Sequence, residues 1–124
     1  MARADFARHL HQLGHNPEEF PDGRIIFPYT IPAGPRVGEV IKLGFVVGDD
    51  FPLNPPSGPH VSPRLLPLNT EGGSHPLASV HESPTFGPDW QYWSRPYPSP
   101  PGWATTDRSV KVYLKYIEHL FRTL

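Results

Sequence analysis

From Val40 to Val47 the chain alternates: Ile41, Leu43, Phe45 and Val47 fall on one side, with Lys42 and Gly44 between them. A period of two predicts a half-buried strand over 40–47. Arg24 to Ile31, rich in branched and aromatic residues, predicts a second strand. Pro28 within it lacks an amide donor, which places that strand at an edge or beside a bulge. Ala33-Gly34-Pro35-Arg36 supplies a turn between the two, so together they predict an antiparallel hairpin. A different period governs residues 106–122. Val110, Tyr113, Leu114, Ile117, Leu120 and Phe121 repeat at helical spacing, with Lys111, Lys115, Glu118 and Arg122 opposite. This predicts an amphipathic helix in which Glu118 and Arg122 make a favourable i,i+4 pair. Phe6, Leu10 and Leu13 form a shorter stripe, predicting a helix over 5–13 that Gly14 stops.

The segments between carry weaker patterns. Asn16-Pro17-Glu18-Glu19 reads as a cap followed by one helical turn, and Phe20-Pro21-Asp22-Gly23 as a tight turn. Residues 48–63 are loop-like, with a third short strand expected within 60–66. Asn69 to Ser74 reads as a connection, and 84–102 as an extended, aromatic-studded stretch without a period. The sum is an α+β chain forming a single domain over 1–124. It has an N-terminal helix, an antiparallel meander of about four strands and a C-terminal helix, the helices packing on one face of the sheet.

Composition narrows the function. Eighteen prolines and 11 glycines in 124 residues keep long helices from dominating, because proline fixes φ and removes a donor. A formal net charge of −1 leaves no broad basic field, so nucleic acid is not an expected partner. No apolar run approaches the ~20 residues that a membrane span needs. Met1 to Gly14 reads as a charged amphipathic stretch rather than a secretion signal, and the cytoplasm is the expected compartment. No cofactor is called for. The chain contains no cysteine, which removes thiolate nucleophiles and disulfides alike. His60, His75 and His81 are the candidate metal ligands, but their spacing matches no recognised zinc pattern and no metal is assigned.

Three local sequences, taken in order, carry a resemblance. Phe51-Pro52-Leu53-Asn54-Pro55-Pro56 is similar to a Tyr-Pro-x-x-Pro-Pro segment, and His75-Pro76 to the start of a His-Pro-Asn motif. Trp103 with Thr105 and Thr106, followed by the stripe through Leu120, is similar to a Trp-x-Pro-x-x-Thr segment and the crossover helix after it. This is the order of the ubiquitin-conjugating (UBC) fold, and over residues 5–122 the chain resembles divergent bacterial members of that superfamily. The resemblance implies a UBC-like fold whose partners are a ubiquitin-like protein and its activating enzyme. It also exposes two departures. The family's catalytic cysteine follows shortly after the His-Pro pair, where this chain has none, and Leu77 replaces the asparagine that would stabilise a developing oxyanion.

Within that frame three explanations stand. The chain is a non-catalytic scaffold, fold being no guarantee of activity. Or it carries the modifier as an oxyester, on Ser83, Ser79 or Thr85, with His81 as the base that such a hydroxyl needs. Ser83 leads that set, because in an extended segment it shares a face with His81 two residues earlier. Or a cysteine was exchanged by design at Ala78, Ser79 or Ser83. His75 belongs to the expected site through the motif, with bracing of the loop as its competing role. The aromatic run offers a recognition patch of Tyr92, Trp93 and Arg95, since such residues concentrate binding energy at interfaces. Packing over the sheet is the alternative for at least two of its aromatics. From a different class, Pro96 to Pro101 suits a module that binds peptide or proline-rich partners.

Overall fold

The computed structural model describes residues 3–51, 56–72, 79–94 and 109–123. Helix α1 spans Arg3–Gln12. Its end is closed by the His15 amide on the Leu10 carbonyl (2.9 Å) and the Gly14 amide on that of His11 (3.0 Å). Gly14 has φ +89°, the left-handed cap that glycine adopts without a Cβ clash. The strands are β1 (Glu18–Glu19), β2 (Arg24–Thr30), β3 (Val40–Val46), β4 (His60–Ser62), β5 (Val80–Glu82) and β6 (Gln91–Trp93). Helix α2 runs from Val110 to Arg122, its first turn capped by the Ser109 hydroxyl, which accepts from the Val112 amide at 3.1 Å.

All six strands join one antiparallel sheet in the order β1-β2-β3-β4-β6-β5. The hairpin pairs Ile25 with Phe45 and Phe27 with Leu43. These residues face the helices: the Phe45 ring lies 6.0 Å from Phe6 of α1 and 5.3 Å from Tyr113 of α2. Phe121 packs on Tyr29 and on Trp93 at 5.7 and 5.0 Å. The core holds these side chains with Ile31, Ile41, Val61, Val80, Ile117 and Leu120. The α+β layout expected from the periodicities is therefore present, with both helices on one side of the sheet.

Four local expectations change. The sheet has six strands rather than about four, and it stops being a meander after β4, because β5 takes the edge and β6 inserts beside β4. Glu18 and Glu19 pair with Ile26 and Ile25 instead of continuing a helix. The turn through Gly23 (φ +96°) folds them back onto β2, and cross-strand bonds outcompete a single helical turn. The third strand covers only 60–62 of the expected 60–66. Residues 91–93 form a strand within the stretch expected to be extended and aperiodic, and 80–82 form another where no strand was expected. Of the segments carrying the UBC resemblance, Phe51 is buried against Phe6 at 5.2 Å. Pro52 to Pro55, His75-Pro76, Trp103 and the 106–108 start of the expected helix lie outside the described residues.

Candidate functional site

The face of the sheet opposite the helices places Gly44, His60, Tyr92 and His81 in one row across β3, β4, β6 and β5. Strand β5 ends at Glu82, and the chain then makes a tight turn over this row. The Ser83 carbonyl accepts from the amides of Phe86 (3.1 Å) and Gly87 (2.8 Å), which fixes the turn. Phe86 is thereby set down on the sheet. It fits because Gly44 has no side chain: a Cβ there would stand 2.4 Å from the Phe86 ring. The Phe86 ring lies 4.2 Å from His60 and 5.0 Å from Trp90, and Tyr92 flanks His60 at 4.6 Å.

The polar centre of this aromatic cluster is a pair. The Ser83 hydroxyl lies 2.7 Å from His60 Nδ1, both residues buried, Ser83 to 2 % exposure. Burial pushes the His60 pKa down to about 4, so at neutral pH the ring is uncharged. In the tautomer carrying its proton on Nε2, Nδ1 accepts the serine O–H, which is the geometry of general-base assistance. Among the described residues no carboxylate bonds His60. An imidazolium formed by taking that proton would thus lack the counter-charge a triad supplies.

Ser83 also lines a cleft of about 280 Å³ with Arg64, Glu82, Pro84, Gly87 and Pro88. Past Arg64 and Pro88 it adjoins a groove of about 610 Å³ along Pro28, Val40, Lys42 and Ser62. Arg64 is positioned by its Nε, which donates to the Trp90 carbonyl at 3.2 Å.

The expected site residues are thus distributed unevenly. Ser83 is paired, but with His60 rather than His81. The i,i+2 argument fails because the extended backbone ends one residue before the serine. His81 instead sits half-buried opposite Tyr92, ring centroids 6.5 Å apart. Ser79 adopts φ +58°, uncommon for a residue with a Cβ, and its amide and hydroxyl both donate to the Glu71 carbonyl at 2.8 and 3.4 Å. Thr85 is exposed on the turn. His75 and Arg95 lie outside the described residues. Of the aromatic patch, Tyr92 keeps surface, whereas Trp93 is core at 2 % exposure, its indole donating to Gln91 Oε1 at 3.0 Å. It therefore offers no surface to a partner. His60 entered the sequence reading only as a metal ligand. It lies 23 residues from Ser83, and no local spacing marks the pair.

Compared with protein-family models, with curated proteins and with solved structures, the chain finds no match. Among the described residues no helix is long and apolar enough to cross a membrane.

Proposed function

We propose that this chain is a UBC-like component of a ubiquitin-like conjugation pathway and holds the modifier as an oxyester on Ser83. The observation that supports it is the 2.7 Å contact between the hydroxyl of Ser83, a residue lining a cleft, and a neutral His60. In the transfer, Ser83 Oγ attacks the thioester carbonyl presented by the activating enzyme while His60 takes the hydroxyl proton. The C–S bond breaks, and the proton passes to the departing thiolate. Arg64, which lines the same cleft, would steady the oxygen that gains charge. The turn over Ser83 has to lift for the carbonyl carbon to reach Oγ.

The same burial favours a second reading, in which the chain is a non-covalent scaffold for the modifier or its enzyme and the Ser83–His60 bond is a clip that fastens the turn. One experiment separates them. The protein is incubated with the activating enzyme, nucleotide and the ubiquitin-like protein, and the products are resolved with and without reducing agent and mild base. An adduct that survives reductant, yields to base and disappears in Ser83→Ala carries the oxyester reading. Binding without an adduct carries the scaffold reading. Neither adduct nor binding removes the conjugation pathway altogether.

A further inference from the structure

The groove where the end of α1 meets α2 is built differently from the Ser83 cleft. Leu13, just past α1, remains 44 % exposed, although its stripe predicts burial. It stands between two hollows of about 200 and 350 Å³, which share Leu13 and Lys111. Tyr29, Pro32 and Leu114 give the larger hollow an apolar lining. Lys111 and Lys115, one helical turn apart, stand exposed beside it, and neither has an ion-pair partner among the described residues. The one acid on this wall among the described residues, Glu118, is already engaged by Arg122 at 2.6 Å. His15, also on the wall, is held towards its neutral form by burial. The first turn of α2, which closes the smaller hollow, contains no acid.

We infer that this groove docks an acidic peptide segment bearing leucine-like side chains. Its apolar residues enter the hollows on either side of Leu13, and its carboxylates meet Lys111 and Lys115. The charge is positive where the lining is apolar, which selects an amphipathic acidic chain over a neutral one. A single alkyl tail would need one continuous channel, and Leu13 interrupts it. A nucleic-acid strand would need exposed rings on which to stack, and Tyr29 is buried.

The test uses the full chain, isotope-labelled, titrated with a blocked peptide that alternates aspartate and leucine. The expected result is saturable shifts centred on Leu13, Lys111, Leu114 and Lys115, weakening as salt rises. The double variant Lys111→Glu, Lys115→Glu should bind at least about tenfold more weakly, with its thermal transition unchanged because both side chains are exposed. Leu13→Asp, which alters the hollows rather than the lysines, should weaken binding as well. Shifts centred elsewhere, unchanged affinity in a folded variant, or equal binding of an arginine–leucine peptide would overturn the proposal. Equal binding of a short oligothymidylate through the same residues would also overturn it, by making the groove a general anion surface.

Discussion

On the helix-covered face of the sheet, Ile25, Phe27, Tyr29, Ile41, Leu43 and Phe45 are sealed by two amphipathic helices through ring and aliphatic contacts. On the opposite face of the same strands, among the described residues, a short turn does the covering, with Phe86 resting on Gly44 and Ser83 bonded to His60. The first face is held by area removed from water, spread over many residues. The second rests on a missing Cβ, the Ser83–His60 bond, the Arg64 bond to the Trp90 carbonyl and a buried titratable ring. A cover fastened at so few points is the one that can open at modest cost, and it is where the candidate chemistry lies.

The contrast is sharpest in adjacent residues of β3. Phe45→Ala removes a ring in contact with Phe6, Phe27 and Tyr113. It is expected to cost about 3–5 kcal/mol in denaturant unfolding. Acid should act chiefly on the other face, through the more deeply buried His60, with a further share from His15 packed on Phe27 and Tyr29. Unfolded chains protonate His60 near the ordinary imidazole value of 6.5, whereas the folded ring resists until about 4. The unfolded state therefore binds more protons between those values, and stability is lost as pH falls through that window while staying flat above it. The His60 share is about 3 kcal/mol and should be lost in His60→Gln, which leaves only the share of His15. Gly44→Ala must displace the Phe86 ring, costing about 1–3 kcal/mol and changing Trp90 fluorescence, with the helix-side core intact. Glu118→Ala, which opens an exposed ion pair on neither face, should change stability by less than about 0.5 kcal/mol.

The helix-covered face was legible because its signals are periodic. The alternation through Ile41, Leu43 and Phe45, and the stripe from Val110 to Phe121, each repeat often enough to fix a face. The other face offered no repeat. Strands of three residues, as at 80–82 and 91–93, are too short to show a period. Gln91 misleads further: it is fully buried, yet its amide accepts from Leu65, Leu66 and Trp93 and donates to the Leu66 carbonyl. Glu18 and Glu19 carry helix-start chemistry that pairing with β2 overrode. His60 met Ser83 only through the placement of β6 between β4 and β5, a tertiary event that spacing along the chain does not encode.

The hairpin turn holds one more consequence. Gly34 (φ +94°) sits so near the end of α2 that a Cβ would stand 2.3 Å from the Phe121 carbonyl oxygen. The loop tip and the last helical turn thus form a seat made of segments from distant parts of the chain. Such a long closure costs much entropy before it returns any contact. The hairpin pairs through local contacts, whereas its tip has a seat only where the final helix packs against it.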